Sequence, residues 1–274
     1  MTKLQVLIAT YGQDGLDRIS ANRLPRIPGV GYLVSCQSPG STPGIPKALL
    51  RDDVKVIFSN SKGSSVNRNI LLREASAPYC LTADDDLDFI PDGIEMIIRL
   101  FDKSPELSVI ALQYINSDGK TEKNYPSQPF SLSHPPKGYF ISCVELAFRR
   151  TRIIERMIFF NENFGVNCIY PCGEEDLWLH DILKSGLKGE FHPLTIAIHK
   201  GVSTGIRCIG EPGVLRAQGA VITRLCPATG LLRVILKAWR SSKASDKSLP
   251  ACLLPALKGW KDALLHSQKL FPHP

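Results

Sequence analysis

A chain of 274 residues with 43% hydrophobic and 22% charged side chains can bury a substantial core, which excludes a disordered or fibrous protein. No apolar run reaches the roughly 18–20 residues needed to span a bilayer, and the stretch Met1–Thr10 is too short and wrongly flanked for a signal peptide. The net charge of +7 is unevenly placed: residues 213–274 hold ten Lys or Arg against two Asp or Glu, which leaves −1 for residues 1–212, and this argues against a nucleic-acid-binding core and for a basic appendage that meets an anionic surface.

Taken in order, Lys3 to Thr10 is a β-branched and leucine-rich run that predicts a buried first strand. Leu16 to Leu24 has helical spacing and stops before Pro25. Val30 to Cys36 and Val54 to Ser59 read as the second and third strands, separated by a loop rich in Pro, Gly and Ser. Val66 to Ala75 predicts a helix and Tyr79 to Ala83 a fourth strand. Pro91 opens an amphipathic helix with Ile94, Ile97, Ile98 and Phe101 on one face. Ser108 to Tyr114 reads as a strand, Asn116 to Lys137 as a mobile loop or hairpin, and Tyr139 to Arg149 as a strand. Helices follow at Thr151 to Phe159 and Glu174 to Ser185, the latter ended by Gly186. Lys188 to His199 is the final strand. After Pro212 the chain turns basic and helical, with one apolar stripe at Leu231, Leu232, Ile235, Leu236 and Trp239. A second runs through Leu253, Leu254, Leu257, Trp260, Leu264 and Leu265. Such stripes either pack on the main body or touch a membrane surface.

Strands alternating with helices predict an α/β fold, a mostly parallel, doubly wound sheet flanked by helices over residues 1–212. A basic helical C-terminal extension, 213–274, follows. Ligands of such a sheet lie beyond the carboxyl ends of its strands. Thr10–Tyr11, Ser35–Gln37, Ser59–Gly63 and Asp84–Asp86 all fall at such ends. Eight scattered cysteines read as reduced, buried thiols of a cytosolic protein. Cys168 and Cys172 lack the second pair that a zinc site needs.

Asp84, Asp85 and Asp86 follow the fourth strand directly. Adjacent carboxylates repel by ~1 kcal/mol per pair in water at about 4 Å. They form either a divalent-metal site that holds a phosphorylated ligand or an acidic turn capping the helix after Pro91. Hard Mg2+ or Mn2+ prefers such oxygen ligands.

Three stretches together resemble family 2 glycosyltransferases, which have the GT-A fold. Gly63-Ser64-Ser65-Val66-Asn67-Arg68-Asn69 through Ala83-Asp84-Asp85-Asp86 is similar to the family's G-x-x-x-A-R-N…D-x-D segment. Phe160-Asn161-Glu162-Asn163-Phe164-Gly165 followed by Cys172-Gly173-Glu174-Glu175-Asp176 resembles its F-D-E-x-F-G…G-E-D segment. His199-Lys200-Gly201-Val202-Ser203-Thr204-Gly205 resembles a His-containing loop that closes the active site in many members. The likeness spans residues 3–205. It implies that Asp84 and Asp86, with His199, hold Mn2+ or Mg2+, that Asp84 or Asp85 meets the ribose or sugar, and that Arg68 holds the nucleotide. Thr10 and Tyr11 would contact the base. An alternative register starts the acidic pattern at Thr82 and makes Asp84 the metal ligand. After the second strand the family often carries an acid that reads uracil. Here Ser35 or Gln37 stands in its place. Asp176, or else Glu175, would be the general base.

The resemblance therefore implies an inverting, metal-dependent transferase. It would move a sugar from a nucleotide-diphosphate donor, UDP-linked, to a carbohydrate or lipid-linked glycan of bacterial surface polysaccharide synthesis. The expected location is cytoplasmic, with peripheral membrane contact through the basic helices. Two alternatives are a sugar-phosphate nucleotidyltransferase and a non-catalytic binding module on the same fold. The first would need a basic, Gly-rich loop after the first strand, and Thr10 to Gly15 has no basic residue. The second needs neither acidic cluster.

Overall fold

The computed structural model describes residues 1–22, 24–201 and 208–271. By contact the chain divides into two compact units. Residues 1–62, 66–159 and 181–201 form the first; residues 63–65, 160–180 and 202–274 form the second. The helical segment after residue 213 belongs to the second unit.

The first 199 residues give β1 (Leu4–Tyr11), α1 (Gly12–Asn22), β2 (Val30–Gln37), β3 (Val54–Ser59), α2 (Ser64–Glu74), β4 (Tyr79–Asp84), β5 (Leu87–Phe89) and α3 (Pro91–Lys103). They continue with β6 (Leu107–Asn116), β7 (Phe130–Ser131), β8 (Leu146–Arg149), α4 (Arg150–Glu155), α5 (Glu174–Lys184) and β9 (Lys188–His199). The strands form one sheet in the order β3-β2-β1-β4-β8-β6-β9-β5, with β7 beside β9. From β3 to β4 all pairings are parallel. Leu4, Val6, Leu7 and Ile8 are all at most 2% exposed, so both faces of β1 are covered. That is why the strand reads as an unbroken apolar run.

The register levels the strand ends. Tyr11 lies opposite Gln37, Gln37 opposite Ser59, and Ala9 opposite Asp84. The chain winds from β1 to β2 to β3, then returns to the other side of β1 as β4. The crevice between the ends of β1 and β4 is the topological switch point where ligands of such sheets bind.

Beyond β4 the sheet is mixed. β8 is antiparallel to β4 and β6, β6 and β9 are parallel, and β5 and β7 run antiparallel to β9. Two expectations change here. The strand predicted over Tyr139–Arg149 is only Leu146–Arg149, because Ser142 and Glu145 form a capping box around a short 3-10 turn, Cys143–Glu145. The segment Asn116 to Lys137, expected as a mobile loop or hairpin, is anchored on the buried Glu145. Its Lys123 Nζ meets the fully buried Glu145 at 2.7 Å, and the Tyr125 hydroxyl donates to the same carboxylate.

In the second unit α6 (Pro212–Leu225), α7 (Gly230–Ala244), α8 (Leu249–Leu265) and α9 (Ser267–Leu270) follow one another. α6 and α8 meet backbone to backbone. A Cβ on Gly219 would lie 2.1 Å from the Ala256 carbonyl oxygen, and one on Gly259 would lie 1.8 Å from that of Arg216. Leu215, Val234, Ala238, Cys252 and Ala256 form the core beneath these helices. The stripe predicted on α7 is not part of it: Leu231, Leu232, Ile235, Leu236 and Trp239 are 41–70% exposed. No described helix is long and apolar enough to cross a membrane.

Candidate active site

Each aspartate of the triplet faces a different nitrogen-bearing side chain in the first unit. Asp84 ends β4, and its Oδ1 accepts from Arg68 Nη2 at 3.0 Å. Arg68 reaches it from α2, with only 8% of its side chain exposed. Asp85 is gripped by Arg18 of α1 through two parallel bonds of 3.0 Å, and the Thr10 hydroxyl donates to the same carboxylate. Gly15 makes room for that contact: a Cβ there would lie 1.8 Å from Thr10 Oγ1 and 2.8 Å from Asp85 Oδ2. Asp86 Oδ2 stands 3.3 Å from His199 Nε2.

β5 creates the last pairing. The chain turns at Asp85–Asp86 and runs back antiparallel to β9, which places Leu87 opposite His199. Three residues suffice to fix that register, and Lys200 N donates to the Asp86 carbonyl at 3.2 Å. Behind the histidine, Nδ1 lies 3.9 Å from Glu122 Oε1, and the Tyr114 hydroxyl donates to Glu122 Oε2 at 3.1 Å.

The electrostatics follow from these contacts. Burial alone would raise Asp86, but the hydrogen bond and charge of His199 hold its carboxyl below the usual range. The same hydrogen bond raises His199 against its burial. Desolvation pushes Asp84 up and Arg68 opposes it. Asp84 keeps 42% of its side chain open to water beside the Arg68 guanidinium.

The other residues named from sequence in this unit sit toward the ends of β1 and β2. The Asn67 amide donates to the carbonyls of Thr10 and Ser35, clipping α2 to the ends of β1 and β2. Ser35 is wholly buried, so its hydroxyl is not presented to solvent. Gln37 is 4% exposed and donates to Ser61 Oγ at 2.8 Å. Beside it, Ser38, Ser41, Thr42, Phe58, Ser59 and Asn60 line a hollow of about 180 Å³. Tyr11, at the end of β1, is 47% exposed. Thr82 is buried and bonds the carbonyls of Cys143 and Leu146. It is a sheet residue, two positions before Asp84 on β4.

The predicted metal set Asp84, Asp86 and His199 is not gathered around one point. Among the described residues no group of three or more His, Cys, Asp or Glu side chains is arranged to hold a metal ion. Arg68 draws Asp84 to itself, while Asp86 and His199 face each other. Asp86 Oδ1 is nonetheless buried with no hydrogen-bond partner among the described residues. A carboxylate so placed fits a hard cation, which needs only one or two protein carboxylates when phosphate oxygens and water complete its shell. Residues 202–205 of the His-containing loop lie outside the described residues.

Glu175 and Asp176 open α5 in the second unit, both half-buried. Glu174 beside them is 6% exposed and accepts from Ser64 Oγ at 3.3 Å. Gly165 and Gly173, at φ of 114° and 95°, shape the approach. A Cβ on Gly165 would collide with Ser64 Oγ at 2.2 Å, one on Gly173 with Val221 at 2.6 Å. Asp176 interacts electrostatically with Lys237 of α7, whose own pKa burial lowers.

Arg18, Glu122 and Asn67 were not singled out from sequence. Arg18 lies 67 residues from Asp85 on a helix where an exposed arginine is ordinary, and Glu122 lies in a polar segment without periodicity. Asn67 alone carried a signal, as the residue before Arg68 in the quoted motif.

No curated relative matches the chain. Among solved structures it is similar to S. aureus TarS (TM-score 0.61, 14% identity, covering 93% of this chain and 55% of that one). It is also similar to S. aureus TarS 1–349 in complex with UDP-GlcNAc (0.59, 13%, covering 99% and 93%). A third is the mannosyltransferase PcManGT from Pyrobaculum calidifontis in complex with GDP-Man and Mn2+ (0.57, 14%, covering 97% and 82%). The chain thus spans little more than half of the longer TarS chain. These likenesses show the fold, a mixed α/β sheet flanked by helices. The family model described as glycosyl transferase family 2 matches residues 35–172, just over half of the chain, ending two residues before Glu174. With that match running from the end of β2 through the triplet to the approach to α5, this chain belongs to glycosyl transferase family 2.

Proposed function

We propose that the chain is an inverting, divalent-cation-dependent glycosyltransferase that uses a UDP-sugar. Its acceptor is a carbohydrate or lipid-linked glycan of bacterial surface polysaccharide synthesis, met at the cytoplasmic face of the membrane. The observation that carries this reading is the acidic triplet at the switch point, with Arg68 and His199 bonded to its outer members. The TarS structures with UDP and UDP-GlcNAc support a uridine donor, and Mn2+ in the PcManGT complex supports the cation.

Arg68 would bind a phosphate oxygen through its planar fork. Tyr11 offers an exposed ring to the base, with Gln37 close by. Thr10 and Arg18 hold Asp85 in one orientation for a sugar hydroxyl. Asp86, with Asp84 or His199, would hold a divalent cation that supplies Lewis-acid neutralisation of the leaving diphosphate. Asp176, or Glu175 in its place, would take the proton from the acceptor hydroxyl. That oxygen bonds to the anomeric carbon as the bond to the diphosphate breaks, and a single displacement inverts the centre.

Calorimetry of UDP and GDP with and without Mn2+ tests the donor site. Mn2+-dependent UDP binding, lost in Asp86→Ala, is expected; affinity indifferent to both changes removes the assignment. Asp176→Asn and Glu175→Gln should differ in turnover with donor affinity intact. If both turn over fully, neither is the base.

A further inference from the structure

We propose that the exposed face of α7 is a docking surface for an anionic lipid bilayer. The inference deepens the proposed function by placing the acceptor in a membrane, and for the acceptor it rests on that reading.

α7 buries one stripe and exposes another. Val234, Ala238 and Ser241 face the core with at most 6% exposed, so the rotation of the helix is fixed by packing. Leu231, Ile235 and Trp239, one turn apart, stand out of that core, with Leu232 and Leu236 beside them. Leu232 is 70% exposed and Trp239 48%. Single apolar residues on a surface need no explanation, but five within nine residues of one helix mark a contact surface.

The flanking chemistry selects the partner. α7 carries Arg233, Lys237, Arg240 and Lys243 and no acidic residue. Arg233, Arg240 and Lys243 are exposed, and Lys237 is half-buried. The next helix repeats the composition, with Leu254, Leu264 and Leu265 55–68% exposed and Lys258 and Lys261 at its surface. A two-fold contact between copies of this face would set its arginines against each other. An anionic surface complements them, and aliphatic side chains, an indole and a basic border are what an in-plane interfacial helix uses. No described helix spans a bilayer, so the contact is one of lying on the surface.

The test uses the full chain with phosphatidylcholine vesicles, with and without phosphatidylglycerol. Co-sedimentation with the anionic vesicles and a blue shift of tryptophan emission, absent in Trp239→Phe, are expected. The double variant Leu232→Asp with Leu236→Asp should bind them about tenfold or more weakly. Arg233→Gln with Arg240→Gln should lose roughly tenfold on anionic vesicles and nothing on neutral ones. Absence of vesicle binding, equal binding by the Asp variant, or a dimer that the Asp variant dissolves would each overturn the proposal. UDP affinity measured on the same proteins separates the two readings. Nucleotide binding without vesicle binding sinks this inference alone, and vesicle binding without nucleotide binding sinks the transferase reading.

Discussion

Arg68→Met removes the cation from Asp84 while keeping an apolar stem in α2. Arg68 donates to Asp84 at 3.0 Å from an 8%-exposed position, whereas Asp84 is 42% exposed. A hydrogen bond between charged groups contributes about 1.5–3 kcal/mol when well shielded, and the exposure of Asp84 argues for the lower end. Losing it also returns the repulsion between Asp84 and Asp86, ~1 kcal/mol in water at about 4 Å. Together these predict a loss of roughly 2 kcal/mol, or about 4–8 °C in Tm for a chain of this size. Asp84→Asn relieves the repulsion, so the double variant should be more stable than the sum of the single losses implies. A coupling of about 1 kcal/mol or more is expected. Urea unfolding of the four proteins in EDTA measures it. Strictly additive losses would refute the reasoning, because they would mean that Arg68 and Asp84 do not depend on each other.

Two further predictions concern the scaffold. Lys123→Met strands Glu145, which is wholly buried at 2.7 Å from the Lys123 ammonium. Breaking a buried pair costs about 3–5 kcal/mol, so Tm should fall by roughly 10 °C, and Glu145→Leu in the same chain should restore most of it. No recovery in calorimetric scans would mean that the pair is not the anchor of the 116–137 segment. Arg51→Met tests a pH-dependent contact. The hydrogen bonds from Arg51 hold Asp53 below the usual carboxylate range against the effect of burial. A depressed folded pKa stabilises above the unfolded value of about 4 and loses that contribution as pH falls through the folded value. The variant should therefore be less stable by ~1–2 kcal/mol at neutral pH, and the gap should narrow in acid to what the pH-independent bond from Arg51 to the Leu24 carbonyl contributes. Urea midpoints that stay equally far apart at low pH would count against it.

Of the first four strands, β1, β2 and β4 were legible because each is a parallel strand buried on both faces, and such strands are written as apolar runs between helices. β3, at the sheet edge, has no buried residue and was legible from its β-branched composition. The triplet was legible because the register of β1 and β4 puts it at a strand end. β5 was not: three residues, Leu87–Phe89, carry no periodicity, and their pairing depends on β9 more than a hundred residues later. That pairing brings His199 to Asp86, so the sequence could name both residues and not their contact. Arg18 illustrates the same limit, since its role depends on the close approach that Gly15 permits. On α7 the stripe was visible but not its direction, because Val234 and Ala238, smaller and less conspicuous, are the residues that reach the core.

An acidic mouth would seem a poor receptor for a diphosphate, since both carry negative charge. Here Arg18 and Arg68 each stand 3.0 Å from one aspartate, which offsets two of the three charges within the cluster. Seen from a Debye length away, about 8 Å at physiological salt, an incoming anion meets a weaker field than three bare carboxylates would cast. The rest of the selection falls to contact, where a bound group meets guanidinium groups that each already hold a carboxylate.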